Sequence, residues 1–156
     1  LELLISDSSE RITELAAELS SANADRQAEE ERIVGEARRQ ADLQCPDRLT
    51  LVISHAGWHP GVIGIVASRM VERYNRPSVV ISIDSEGVCT GSARGISGTH
   101  VFEALNSCED IMLRYGGHEM AGGFSLKSEY LEQFGERFET YFRQHYSPDV
   151  WLKRVV

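Results

Sequence analysis

The chain has 156 residues, a formal net charge of −8 and 42% apolar residues, which suits one domain with appendages and a sizeable core. No run approaches the ~20 apolar residues of a membrane helix, and no secretory signal is visible. Three cysteines, Cys45, Cys89 and Cys108, without a CxxC spacing give neither a disulfide framework nor a zinc motif, and fit a reducing, cytoplasmic setting. The acidity is uneven. Residues 1–44 carry 11 acidic against 5 basic side chains, and residues 45–156 carry 13 against 11. A local basic cleft in the second part is therefore compatible with the net charge. The first residue is Leu, so the expectation is a piece of a longer protein.

Residues 7–41 read as one long helix, with Asp7 as its cap and Glu10 completing a capping box. Ile12, Leu15, Leu19 and Ala22 recur at spacings of three and four and form a narrow apolar stripe. Continuing the rhythm puts Arg26 on that stripe, where an apolar residue is expected. An arginine there can snorkel over a neighbour. Its cluster with Asn23 and Gln27 on an otherwise acidic helix leaves a phosphate contact open.

After Cys45-Pro46, the run Leu49–Ile53 reads as a buried strand. His55-Ala56-Gly57-Trp58-His59-Pro60-Gly61 follows, with Pro60 at the first position of a helix over 60–74. Gly61 and Gly64 lower that helix's propensity and point to close packing or a ligand near its first turn. Ser78–Ile83 is a second strand, so strand, helix and strand form a right-handed βαβ unit with a parallel pair. Asp84–Gly87 is a turn and Val88–Ala93 a third strand. Ser92 and Arg94, two apart, share a face and can grip one phosphate, the arginine by its fork and the serine by one hydrogen bond. The competing reading is a solvated strand end.

Thr99 is placed as the cap of a helix running through about Cys108. Arg114-Tyr115-Gly116-Gly117-His118-Glu119-Met120-Ala121-Gly122-Gly123 holds four glycines in eight residues. It reads as a phosphate-handling turn, or as a tight turn with a packing histidine. Gly123–Leu126 is a fourth short strand. Ser128 caps a last helix over 128–145, whose Tyr130, Leu131, Phe134, Phe138, Tyr141 and Phe142 form a core-facing stripe. The apolar end from Trp151 has no partner in view. The expected fold is α/β: a mixed β-sheet flanked by helices, preceded by a long connecting helix. The expected parts are 1–44 (long helix), 45–146 (α/β domain) and 147–156 (start of a following domain).

Three stretches carry a family resemblance: Trp58-His59-Pro60-Gly61-Val62-Ile63-Gly64-Ile65-Val66-Ala67-Ser68-Arg69, then Gly91-Ser92-Ala93-Arg94, then the glycine–histidine stretch 114–123. Together they resemble the DHH-associated domain of the RecJ family of single-stranded-DNA exonucleases. Asn23-Ala24-Asp25-Arg26-Gln27 resembles that family's connecting helix. The resemblance spans about residues 1–145. It departs at Gly122, where relatives often have alanine.

The resemblance implies a DHH-type phosphoesterase whose other half holds two divalent metals, Mn2+ or Mg2+. This chain has no Asp-His-His, so it is expected to need no cofactor of its own and to be inactive alone. In the longer protein it would be the substrate-binding half of a 5′→3′ exonuclease. By the same resemblance, Ser92 and Arg94 meet a terminal phosphate, Gly116, Gly117 and His118 close over the backbone, and Arg26 and Gln27 face the cleft. His59 is a weaker carry-over to the cleft lining. His118 is the single catalytic candidate. No residue is assigned as a metal ligand, because His55, His59, His118 and Cys108 lack zinc spacing. The implied partners are single-stranded DNA, a DHH domain and an OB-fold in cis, with a single-strand-binding protein or a helicase left open and no membrane. Two alternatives stand beside this: a stand-alone nucleic-acid or partner-binding module, and a DHH phosphodiesterase acting on short RNA or cyclic dinucleotides.

Overall fold

The computed structural model describes residues 2–45 and 47–152, with side chains described for 11–45 and 47–151. Leu1, Pro46 and residues 153–156 lie outside the described residues. In chain order the elements are α1 (Glu2–Gln44), β1 (Leu51–Ala56), α2 (Ile63–Tyr74), β2 (Ser78–Ile83), β3 (Val88–Arg94), α3 (Val101–Asn106), β4 (Arg114–Gly117), β5 (Ala121–Lys127), α4 (Leu131–His145) and α5 (Asp149–Leu152). The chain divides into two compact units, Leu1–Ile33 and Val34–Val156.

In the first unit the apolar stripe is bare. Ile12, Leu15 and Leu19 are 64, 47 and 66% exposed, and Arg26 and Gln27 are also exposed. The helix begins at Glu2, so Asp7 lies inside it and is not its cap.

The second unit is built on a five-stranded mixed sheet of order β1-β2-β3-β5-β4. The β1–β2 pair is parallel and joined through α2, as the strand–helix–strand order predicted. The other pairs are antiparallel. One face of the sheet carries the main core, where Val79, Ile81, Cys89, Phe124 and Leu126 meet α3 and the Phe134, Phe138 and Phe142 rings of α4. The α4 stripe is therefore core, as expected. Tyr130 at its start is 36% exposed. The other face is partly covered by α2, which packs across β2 and β3 with Val66, Ala67 and Met70 buried.

The outer edge of β1 is closed by the last turns of α1. Gln44 donates to the Val52 carbonyl (2.8 Å) and accepts from the Val52 N–H (3.1 Å). Gln40 does the same with Ser54, at 2.9 and 3.2 Å. Four helical residues advance ~6.0 Å and two strand residues ~6.6 Å, so amides at i and i+4 on the helix match alternate residues of the strand. Each glutamine amide supplies one donor and one acceptor, as a neighbouring strand would. Gln44→Leu is expected to lower stability by about 1–3 kcal/mol by leaving both Val52 groups unsatisfied. A chemical-denaturation midpoint equal to that of the wild type would contradict this.

Several sequence expectations are corrected. Residues 60–62 form a turn and α2 starts at Ile63, so Pro60 is not its first residue. The reason is local: Gly61 N–H donates to His59 Nδ1 (2.8 Å) and Val62 N–H to the His59 carbonyl (3.1 Å). Thr99 does not cap α3. Its hydroxyl is engaged with the Ile96 N–H and carbonyl, and His100 caps instead, accepting from Glu103 N–H (3.3 Å). Ser128 opens a short 3-10 turn, with α4 starting at Leu131. Trp151 is not without a partner: its indole N–H donates to the Leu49 carbonyl (2.9 Å), and its ring packs against the core.

Candidate nucleic-acid interface

The glycine–histidine stretch is a hairpin, not a free turn. β4 and β5 carry its glycines, with Gly116 opposite Gly123 and Gly117 opposite Gly122. The connection is His118–Met120, closed by His118 N–H to the Ala121 carbonyl at 2.8 Å. β5 also pairs with β3, which sets Ser92 opposite Gly123 and Arg94 opposite Ala121. Directly paired residues share a sheet face. Ser92, Arg94, Gly116 and Gly123 therefore lie on one face, and Ala93, Gly117 and Gly122 on the other. The hairpin tip is fixed beside the end of β3: Gly95 N–H donates to the Met120 carbonyl (2.9 Å) and Val101 N–H to that of Glu119 (2.7 Å).

The four glycines differ in what holds them. Gly117 has φ of +147°, and a Cβ there would fall 2.5 Å from Gly122 Cα. Its role in the hairpin turn needs no ligand. A Cβ on Gly122 would strike Leu105, at 2.6 Å. Gly116 and Gly123, on the Ser92 face, have neither constraint. Neither has positive φ. A Cβ on Gly116 meets nothing within 4 Å, and one on Gly123 meets only Gly91 O at 3.7 Å. Both are exposed.

Ser92 and Arg94 form one preassembled group. Arg94 Nη1 donates to Ser92 Oγ (3.1 Å) and to the Ala93 carbonyl (2.9 Å). Burial lowers the Arg94 pKa from the ordinary guanidinium value, but arginine stays charged in proteins. The first turn of α2 lies against the pair. A Cβ on Gly64 would come 2.8 Å from Arg94 Nη2 and 3.3 Å from Ser92 Oγ. A side chain at 64 would push the guanidinium aside, so the glycine matches the close packing that Gly64 suggested in the sequence. α2 has no side-chain cap at Val62, so its first N–H groups lack intrahelical partners and add partial positive charge. A guanidinium, a hydroxyl and an uncapped helix start meet at one place, which is the chemistry of an oxyanion cradle.

The other sequence candidates fall elsewhere. His118 is exposed at the hairpin tip. His59 is exposed, and its Nδ1 is used within the turn before α2. Trp58, in the same stretch, is 2% exposed and acts as an anchor. Its indole N–H donates to Glu36 (2.5 Å), its carbonyl accepts from Ser82, and its ring stacks on His55. Arg26 and Gln27 belong to the first unit.

Sequence reasoning missed Thr90, Ser125 and Arg114, which form the next row of the same face. The period-2 alternation of β3 and β5 held the signal for the first two. Among the described residues no three His, Cys, Asp or Glu side chains converge as a metal-binding group, and no helix is long and apolar enough to cross a membrane.

A family model, the DHHA1 domain, matches residues 48–144. The chain is 45% identical over 130 residues to the single-stranded-DNA-specific exonuclease RecJ of Bacillus subtilis, covering 83% of this chain and 16% of that protein. It is 37% identical over 141 residues to RecJ of Thermus thermophilus, covering 90% and 20%. The crystal structure of the Thermus thermophilus RecJ in complex with Mg2+ superposes with a TM-score of 0.73 at 37% identity, over 85% of this chain and 20% of that one. That of exonuclease RecJ bound to manganese gives 0.76 at 34% identity, over 89% and 34%. The chain thus spans well under a third of the curated relatives' length, 16% and 20% for these two. The metals of those crystal structures have no ligand set among the described residues of this chain. With the family model covering residues 48–144 of 156 and RecJ exonucleases as its relatives, this chain belongs to the DHHA1 domain family.

Proposed function

We propose that this chain is the substrate-gripping part of a cytoplasmic single-stranded-DNA exonuclease acting 5′→3′. Ser92 and Arg94 hold the terminal phosphate, and the Gly116–His118 side of the hairpin lies along the backbone that follows. Hydrolysis belongs to a DHH part of the longer protein, with Mn2+ or Mg2+ as its metals, and Arg26 and Gln27 of the connecting helix are further phosphate-contact residues. The observation that carries this reading is the Arg94–Ser92 pair set beneath the uncapped start of α2 at Gly64. A cradle of charge-assisted donors on a chain of net charge −8 favours an anion at that point over a general acidic-ligand surface.

The test is binding and turnover by the purified chain. Fluorescence anisotropy with a 5′-phosphorylated single strand is expected to show weak binding whose logarithm falls linearly with log salt, because backbone contacts release counterions. Little sequence preference is expected, since the ring stripe of α4 is buried in the core and unable to stack on bases. Added Mn2+ or Mg2+ is expected to give no hydrolysis. Salt-independent binding, or chelator-sensitive cleavage by the pure chain, would overturn the reading.

A further inference from the structure

A cleft of about 660 Å3 runs over β3, β5 and β4 and is lined in part by Thr90, Arg114, Gly116, Gly123 and Ser125. Thr90 is opposite Ser125, and Ser125 opposite Arg114, so the three side chains form one row on the Ser92 face. Among the described residues none of these three side chains has a hydrogen-bond or ion-pair partner. Arg114 and Thr90 are exposed and Ser125 is half-buried. The row beside them is Ser92, Gly123 and Gly116. Those two glycines are not required by φ or by packing, and glycine weakens a strand that has no use for it. Glycine in a strand also marks places where a ligand or another backbone approaches closely. A bare floor, two free hydroxyls and a free guanidinium thus lie in one cleft that opens beside the Ser92–Arg94 pair.

We propose that Thr90, Ser125 and Arg114 form a second anion subsite, for an internal phosphodiester of a single nucleic-acid strand that crosses the Gly116–Gly123 floor. This rests on the reading that Ser92 and Arg94 hold the strand's terminal phosphate. Arg114 supplies the charge and the hydroxyls supply donors, and the missing side chains let the sugar–phosphate chain lie close to the sheet. Arg94 and Arg114 are two strands and four residues apart, which puts their Cα atoms about 16 Å apart at ordinary strand spacings. That separation suits two phosphates a few nucleotides apart on one polyanion, beyond the reach of a dinucleotide, rather than a single small anion.

The test compares a 5′-phosphorylated thymidine decanucleotide with the 5′-phosphorylated dinucleotide, bound to this chain at several salt concentrations. Arg114→Gln is expected to weaken the decanucleotide about fivefold or more and to reduce its salt slope by about 0.7, the value for one single-strand phosphate contact. The dinucleotide is expected to bind as to wild type. Gly116→Val is expected to weaken the decanucleotide with Tm unchanged or raised, because valine suits an exposed strand position. Equal losses on both lengths, or none on either, would overturn the subsite. A lower Tm for Gly116→Val would also count against it, since the glycine would then serve the fold. Arg94→Ala separates the two readings. If it leaves the preference for a 5′-phosphate intact, the terminal-phosphate reading falls, and a length-dependent loss at Arg114 still supports a backbone subsite.

Discussion

Replacing Arg94 by alanine is expected to weaken binding of 5′-phosphorylated single strands by about 1.5–3 kcal/mol, the range for hydrogen bonds to charged groups, or roughly 10- to 150-fold. The loss should be smaller on 5′-hydroxyl strands. A terminal phosphate carries more charge than an internal phosphodiester, and a guanidinium fork with a hydroxyl beside it rewards that difference. Arg94→Lys should rescue only in part, since an ammonium cannot reproduce the planar fork that contacts Ser92 Oγ and the Ala93 carbonyl. Gly64→Ala provides an independent handle. Its Cβ would sit 2.8 Å from Arg94 Nη2, so the guanidinium must shift while its charge stays. The same preference for 5′-phosphate should shrink, by less than in Arg94→Ala. In the longer protein the comparison is kcat/KM on the two substrates. Equal losses on both would mean that Arg94 holds the backbone generally. No loss would return it to a solvated strand end.

How much of this was legible in the sequence follows from which contacts are local. The βαβ unit could be read because β1 and β2 are apolar runs, and β2 falls on Ser78–Ile83 as expected. Ser92 and Arg94 could be read because residues two apart on any strand share a face. β4 could not. It is four residues long with two glycines, and single-residue propensity argues against a strand there. Pairing with β5 overrides that propensity. The caps assigned to Thr99 and Ser128 failed for another reason. Each residue type suited the role, but Thr99 found nearer partners in Ile96 and Ser128 went into a 3-10 turn. The Thr90–Ser125–Arg114 row was hidden because β5 is inserted between β3 and β4 in the sheet. Strand order, not spacing along the chain, brings those three together.

Glu139→Ala is expected to be strongly destabilising, by about 2–5 kcal/mol, because it leaves two backbone N–H groups unsatisfied at ~1–3 kcal/mol each. Glu139 sits on α4, only 7% exposed. Its carboxylate accepts from the N–H groups of Leu49 and Thr50, each at 2.9 Å, and from the Thr50 hydroxyl at 2.6 Å. Arg143 pairs with it at 2.7 Å and Arg48 lies at 3.8 Å. One side chain thus satisfies the chain that enters β1 from α1, and its removal leaves two backbone donors without their acceptor and Arg48 without the buried carboxylate 3.8 Å away. Burial alone would push the Glu139 carboxyl up. The hydrogen bonds from Thr50 and from the Leu49 and Thr50 N–H groups, with Arg48, together outweigh burial and hold it below the usual glutamate range. The sign of the pH dependence follows. A carboxyl held low in the folded state binds fewer protons there than in the unfolded chain, so stability rises with pH in that interval. The contribution is complete above the ordinary glutamate value of ~4.3. It drains away as the pH falls below that value and through the lower folded one. Glu139→Gln keeps the shape but turns an amide NH2 toward the Leu49 and Thr50 donors. It should be destabilised at neutral pH, with the gap to wild type narrowing steadily in acid. Urea unfolding of both proteins from neutral pH down to about 3 measures that gap. Parallel curves across the whole interval would show that Glu139 holds the β1 entry by packing rather than by its charge.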